Sequence, residues 1–187
     1  MSNPFRKGHF LLGGVFSRAF PLQPLSGGGQ LSTSEYWIWQ SGNEIELLKS
    51  IFAFFQESWK PLRNKAPAQA DLIAIGIGIS RFDLPALFSR SLYYRIAPRS
   101  ELFSCYFHMK VVDLSDVGAL LPPKPPVLYP RTANELARHC DLPVEKKSGT
   151  RVWEMYDAGD YTSIETRTRE EVRTITQIYS SLVQMPS

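Results

Sequence analysis

The chain has 187 residues and a formal net charge of +3, and 43% of its residues are hydrophobic. This length and apolar content predict one globular domain spanning 1–187 and exclude an intrinsically disordered chain. The mild positive charge is compatible with phosphate binding, but it is far below the charge density of a histone-like protein. Two cysteines and three scattered histidines argue against a disulfide framework and against a Cys/His zinc site. No apolar run reaches the roughly 18 to 20 residues that cross a bilayer, so we expect a cytoplasmic protein with no membrane partner.

The N-terminal part of the chain predicts two strands and one helix. HFLLGGVFSRAF (9–20) is strand-like, and EYWIWQ (35–40) alternates as a second strand. The stretch between them, 21–34, is rich in Pro, Gly and Ser and predicts a flexible loop. After Asn43, a suitable helix cap, the apolar residues of EIELLKSIFAFFQESWK repeat at helical spacing, up to a predicted loop at 61–70.

Strands and helices alternate in the middle of the chain. DLIAIGIGI (71–79) is nearly all apolar, as expected of a central strand covered on both faces. Asp83 then opens a helix that carries a proline in its first turn. An extended segment within 101–114 precedes a short helix, for which Asp113 is the predicted cap.

The C-terminal part of the chain predicts helices. PPKPPVLYP (122–130) reads as a stiff connector, and Thr132 with Glu135 has the spacing of a capping box. VWEMYDAGD predicts a helix, and a longer helix is predicted over 162–183. The predicted order is strands first, then strands alternating with helices, and finally helices alone. This order points to an α/β domain whose mixed sheet is flanked by helices.

Four stretches of the chain carry a family resemblance through their order and spacing. They are NEIELLKSIFAFF, GIGISRFDLPALFSR, HMKVVDLSDVGALL and the closing segment from TANELARHC to TITQIY, together spanning about residues 35 to 182. In this order they resemble the RNase H-like 3′–5′ exonucleases of the DEDD type, especially the domain related to the proofreading part of family-B DNA polymerases. The resemblance implies an RNase H-like fold, in which a mixed sheet is flanked by helices.

The resemblance also implies a metal-dependent site. In that family four carboxylates hold two divalent metals, Mg or Mn, which activate a water and stabilise the departing 3′ oxygen. Asp83 matches the acid of the second motif, and Glu171 stands where the third motif has its Asp. Arg167 replaces the Tyr that lies four residues before that acid. Asp83 and Glu171 are therefore the catalytic and metal-binding candidates, although Asp83 has a simpler alternative role as a helix cap.

The first motif of the family, an Asp-x-Glu pair, has no counterpart before Glu35. Either 9–20 corresponds to the family's second strand and the motif-bearing strand is absent, or 9–20 is the first strand and Gly13 and Val15 occupy the acidic positions. In both cases two acids are missing, and one Asp with one Glu carries too little negative charge for two dications. We expect no bound cofactor, with Mg or Mn involved only if residual activity exists.

Basic and aromatic residues near these motifs are candidates for nucleic-acid binding. Cations hold phosphates, and exposed aromatic rings stack on bases. An ordinary solvated surface is the alternative interpretation of the same residues. The candidates are Arg81, Phe82, Arg90, Lys146, Lys147 and Arg167.

The sequence leaves three hypotheses open. The first is a degenerate exonuclease-like domain that binds single-stranded or 3′-ended DNA or RNA, or supports a complex that processes it, without efficient cleavage. The second is an active 3′–5′ exonuclease whose missing acids come from elsewhere. The third is a protein-interaction adaptor that recruits a partner through the strand at 35–40 or through an open sheet edge. The resemblance and the missing acids together favour the first.

Overall fold

Four β-strands and eight α-helices form the part of the chain that the computed structural model describes, residues 8–19, 32–65, 71–143 and 152–184. The strands are β1 Gly13–Arg18, β2 Ser32–Trp37, β3 Ile73–Gly76 and β4 Lys110–Asp113. The helices are α1 Ile38–Ser41, α2 Glu44–Lys65, α3 Asp83–Tyr93, α4 Arg99–Phe107, α5 Leu114–Val117, α6 Ala133–His139, α7 Val152–Asp157 and α8 Tyr161–Gln184. The predicted α/β class is confirmed, and the described strands form two sheets of two strands each, β1 with β2 and β3 with β4.

The chain divides into two compact units. The first comprises Met1–Gly14 and Ser34–Asp113, and the second comprises Val15–Thr33 and Leu114–Ser187. The β3–β4 sheet and helices α1 to α4 thus belong to the first unit, and helices α5 to α8 belong to the second.

The core of the first unit lies between α2, α3 and α4. The apolar stripe predicted for α2 is confirmed, because its apolar residues are buried at helical spacing. The aromatic rings of Phe52 and Phe55 pack on Tyr106 of α4, with ring centroids 6.1 and 5.3 Å apart. Burial raises the pKa of Tyr106, whose hydroxyl faces Ser91 of α3. Each fully buried large apolar side chain contributes about 2 kcal/mol, so this three-helix contact holds α3 firmly in place.

β1 and β2 approach closely at Gly13. Its φ of +130° favours glycine, and a Cβ atom built there would lie 1.9 Å from the carbonyl oxygen of Tyr36. Two residues further along β1, Val15 is buried at 8% exposure. Position 13 therefore has no room for an acidic side chain, and the side chain at position 15 is shielded from solvent.

Packing in the second unit follows the sequence patterns closely. The capping box of α6 is confirmed, with the Thr132 side chain accepting from the Glu135 N–H and the Glu135 carboxylate accepting from the Thr132 N–H at 3.0 Å. α6 and α7 both pack on α8, which buries Ile164 and Ile178. The long helix predicted over 162–183 is therefore confirmed.

The longest helices are amphipathic. α2 has 22 residues and α8 has 24, and each buries one face. In none of the described ranges does a helix combine the length and the apolar character needed to cross a membrane.

The predicted boundaries of β2 and α2 are wrong. β2 begins at Ser32, inside the predicted loop 21–34, and it ends at Trp37, where the strand 35–40 was expected to continue. A helical turn, α1, replaces the last part, and the ring of Trp39 stacks on that of Trp37 with centroids 5.0 Å apart. The rest of that loop, 21–31, lies outside the described residues.

α2 continues through Pro61 into the predicted loop 61–70, of which 66–70 lie outside the described residues. A proline removes one backbone hydrogen bond, and here the preceding turn is anchored by the indole N–H of Trp59, which donates to the carbonyl of Cys105 at 3.1 Å. The helix therefore runs past the proline. The predicted length of β3 is also too great, because the strand covers four residues. Ile73 is 38% exposed, so the prediction that both faces of β3 are buried is wrong.

Candidate functional site

The carboxyl ends of two parallel strands form the candidate site. β3 and β4 pair in parallel, and their last residues, Gly76 and Asp113, lie opposite each other. In open α/β sheets, ligands bind beyond the carboxyl ends of the strands, where the following loops diverge. The loop after β3, residues 77–82, leads directly into α3 and carries the motif residues of GIGISRFD.

Asp113 fixes the conformation of this loop. Its Oδ1 accepts from the N–H of Gly78 at 2.8 Å, and its Oδ2 accepts from the N–H and the hydroxyl of Ser80 at 3.1 and 2.6 Å. Gly78 has a φ of +74°, which glycine adopts without strain. Asp113 is 6% exposed, and these three bonds offset the lost hydration of its carboxylate. Besides the capping role predicted for it, Asp113 therefore ties the loop to the sheet.

The three residues that follow Ser80 carry three different chemical groups. Phe82 occupies the capping position of α3, and Asp83 is the first helical residue, one position later than the cap predicted for it. There its carboxylate is favourably placed relative to the helix dipole. Arg81, Phe82 and Asp83 are all exposed, Phe82 by 46%. A cation, an aromatic ring and an acid are thus grouped beside the carboxyl end of β3.

Arg90, two turns further along α3, is committed to an ion pair inside the first unit. Its guanidinium donates from Nε to Oε1 of Glu44 at 2.8 Å and from a terminal nitrogen to Oε2 of the same carboxylate. The two side chains are 11% and 6% exposed. The hydrogen bond to Glu44 raises the pKa of Arg90 further, so this group stays charged. Arg90 therefore holds α3 against α2, and we leave it out of the binding surface proposed below.

Glu44 is the centre of a larger polar network. Besides Arg90 it accepts from the hydroxyl of Tyr94 at 3.1 Å and from the N–H of Leu11 at 3.0 Å. Desolvation, and then the hydrogen bond to Glu44, raise the pKa of Tyr94. One buried carboxylate thus joins α2, α3 and the segment before β1.

The remaining predicted residues lie elsewhere. Arg167 and Glu171 are on α8 in the second unit, where a spacing of four residues puts them on one face, and both are half-buried. Lys146 and Lys147 lie outside the described residues. Arg81, Phe82 and Asp83 are thus consecutive in the first unit, where Arg90 also lies further along α3, and Arg167 and Glu171 share a face of α8 in the second unit.

The acidic residues of the first unit offer few metal ligands at the candidate site. Asp83 is an exposed carboxylate that suits a hard cation. Across 8–19, 32–65, 71–143 and 152–184, no three His, Cys, Asp or Glu side chains are grouped closely enough to hold a metal ion.

Sequence reasoning missed the role of Asp113 in ordering this site and the ion pair with Glu44 that takes Arg90 out of it. The pairings of Asp113 with Ser80 and of Glu44 with Arg90 join positions 33 and 46 residues apart. A signal was present for Asp113, because an acid at the end of a strand can satisfy the amides of a glycine-containing loop that follows a neighbouring strand. For Glu44 the sequence offers no such signal.

Comparison of the chain with family models, with curated proteins and with solved structures found no match. The residues described above are therefore the basis for assigning a function.

Proposed function

We propose that this chain is an RNase H-like domain related to 3′–5′ exonucleases, and that it binds single-stranded or 3′-ended nucleic acid without cleaving it efficiently. The observation that carries the proposal is the group formed by Arg81 and Phe82 beside Asp83, at the carboxyl end of β3. An exposed cation next to an exposed aromatic ring matches the phosphate and the base of one nucleotide.

The fixed geometry of the loop supports binding. Asp113 holds Gly78 and Ser80, so the two residues that follow Ser80 start from an ordered backbone. An ordered loop loses less conformational entropy when it binds a ligand than a mobile one does. Asp83 follows directly and keeps a negative charge near the bound phosphate, so we expect weak binding.

The small number of carboxylates at the site supports the proposal that cleavage is inefficient. Two-metal hydrolysis needs several acidic ligands to compensate two dications. At the carboxyl ends of β3 and β4, Asp113 already accepts three hydrogen bonds, which leaves Asp83 as the exposed acid of this loop. Gly13 and Val15, one interpretation of the first motif, offer no carboxylate, and position 13 has no room for one.

A binding titration tests the proposal directly. Fluorescence anisotropy with a labelled single strand of about 20 nucleotides, DNA or RNA, should give a Kd of roughly 1 to 100 µM at about 50 mM KCl and weaker binding at about 200 mM. Phe82→Ala should weaken binding about tenfold through lost stacking. Arg81→Ala should reduce the salt slope by about 0.7, the value for one phosphate of a single strand.

Matched controls come from exposed residues of the second unit. Leu120 is 84% exposed and Arg173 is exposed, so Leu120→Ala and Arg173→Ala remove an apolar and a basic side chain far along the chain from the motif. These variants should bind like the unmodified protein. Absence of binding at low salt, or equal losses in the control variants, would refute the proposal.

A digestion assay decides between binding and hydrolysis. A 5′-labelled strand incubated with the protein in MgCl2 or MnCl2 should show no shortening beyond that of the buffer. If a ladder of shortened products forms and Asp83→Ala abolishes it, the chain is an active exonuclease, and the binding-only proposal fails. A ladder that persists in Asp83→Ala points to a contaminating nuclease.

A further inference from the structure

A shallow groove lies along α4 in the first unit. Its volume is about 580 Å³, and it is lined by residues of α4 and by the residue that ends the helix: Arg99, Ser100, Phe103, Ser104 and His108. Arg99 and Phe103 are four residues apart, and so are Ser100, Ser104 and His108 in turn, so these two adjacent rows lie on one face of the helix. The groove is open to solvent, so a ligand would lie along the helix face and would not be enclosed.

Phe103 forms an exposed aromatic platform in this groove. Phe103 is 50% exposed, and its ring also packs against three aromatic neighbours. The ring centroids of Phe88, Phe107 and His108 lie 6.3, 5.3 and 5.9 Å from that of Phe103. The platform is therefore held in place before any ligand binds, which reduces the entropic cost of stacking.

The polar residues of the groove are suited to a phosphate. Arg99 is exposed and forms no ion pair with any residue that the structure describes, and the acid in the same helical turn, Glu101, accepts instead from the amide of Gln56 at 2.7 Å. Ser104 Oγ lies 3.2 Å from Nδ1 of His108, and this contact fixes the imidazole. Hydroxyls and cations beside an aromatic platform complement a phosphodiester and its base more closely than they complement an apolar peptide.

We propose that this groove is a second nucleotide subsite, in which a base of the bound single strand stacks on Phe103 and its phosphate is held by Arg99. The inference rests on the proposed function, because it extends the same strand beyond Phe82. It assigns the chain at least two stacked bases in the first unit, one at the start of α3 and one on α4.

Conservative substitutions test the subsite without removing the packing of α4. Phe103→Leu keeps an apolar side chain against Phe88 but removes the aromatic face, and it should weaken binding of a single strand of about 20 nucleotides about tenfold. Phe103→Tyr retains the face and should bind normally. Arg99→Ala should weaken binding at low salt and reduce the salt slope by about 0.7, whereas Arg99→Lys should restore both. Leu120→Ala and Arg173→Ala serve again as controls.

Photo-crosslinking gives an independent readout. A strand containing 5-iodouracil, irradiated in the complex and mapped by mass spectrometry, should label the peptide that carries Phe103 in addition to the one that carries Phe82. Loss of affinity in the Phe82 variant with no loss in Phe103→Leu and no label on α4 would overturn the subsite and leave the proposed function standing. No binding by the unmodified protein would overturn both.

Discussion

The carboxylate of Asp113 holds both the backbone and the hydroxyl of Ser80, with Oδ2 lying 3.1 Å from the nitrogen and 2.6 Å from Oγ. Because Asp113 ends β4 while Ser80 precedes α3, this contact joins the end of one strand to the loop of its neighbour. The exposed Arg81 and Phe82 follow Ser80 directly, so their backbone starts from a fixed point. A buried acid with a structural role therefore also shapes the proposed binding surface.

Replacing Asp113 should lower both stability and affinity. Asp113→Ala leaves three donors without their charged acceptor, and we expect the free energy of unfolding to fall by about 3 kcal/mol. Asp113→Asn retains one acceptor oxygen and should cost less. Urea unfolding followed by tryptophan fluorescence measures the change, and anisotropy with a labelled strand measures the loss of binding. Asp157→Ala, at an exposed position at the end of α7, should change stability by less than about 0.5 kcal/mol; equal effects of the two substitutions would contradict the tether.

The buried pair of Glu44 and Arg90 should be far more costly to break than an exposed pair. Glu44→Ala leaves the guanidinium of Arg90 buried without a counter-charge, which we expect to cost about 3 to 5 kcal/mol. The matched control is Glu46, whose ion pair with Lys49 lies on the same helix with side chains 51% and 55% exposed. Glu46→Ala should cost less than about 1 kcal/mol.

A double variant separates the charge from the packing at this pair. Replacing Glu44 and Arg90 together by methionine removes both charges and keeps apolar volume, so it should recover a large part of the stability lost in Glu44→Ala. Urea unfolding of the three variants provides the comparison. A double variant as unstable as Glu44→Ala would show that the lost acceptor of Tyr94 and Leu11 or the contacts of the two stems, rather than an unpaired charge, account for the loss.

The helices of this chain were predictable where their signal is local. The apolar repeat of α2 and the capping box from Thr132 to Glu135 depend on residues three or four positions apart, and both are confirmed. The end of β2 was not predictable, because the apolar residues continue through Ile38 and Trp39 although the backbone becomes helical at Ile38. Periodicity describes which residues are apolar and gives no information on which of them meet.

The candidate site was predictable in part for the same reason. The pattern GIGISRFD locates Arg81, Phe82 and Asp83 at the start of α3, and the structure has them there. The commitment of Arg90 to Glu44 joins residues 46 positions apart and depends on how α2 packs on α3. The spacing of residues along the sequence does not reveal such a pairing.

The capping box of α6 should make a contribution to stability that depends on pH. Hydrogen bonds from the backbone of Arg131 and Thr132 hold the pKa of Glu135 below its ordinary value of 4.5. Because the folded state favours the ionised carboxylate, this contribution is complete above the unfolded pKa and is lost as the pH falls through the lowered folded value. Thr132→Ala should cost about 1 kcal/mol at neutral pH. Urea unfolding of Glu135→Ala and the unmodified protein should converge in acid, and a difference that persists there would contradict the assignment.

Gly13 should tolerate no side chain. At this position a Cβ would clash with backbone atoms, in addition to the strain of a positive φ that other glycines share. A Cβ at position 13 would lie 1.9 Å from the Tyr36 carbonyl oxygen and 2.9 Å from the Trp37 Cα. Gly159 has a φ of +72° but no atom within 4 Å of such a Cβ, so Gly159→Ala reports the backbone strain alone, about 1 kcal/mol. Gly13→Ala adds a backbone clash and should cost more than about 3 kcal/mol. The urea midpoints of the two variants measure the difference. If Gly13→Ala lowers stability no more than Gly159→Ala does, β1 and β2 do not approach so closely. Position 13 would then have room for an acidic residue.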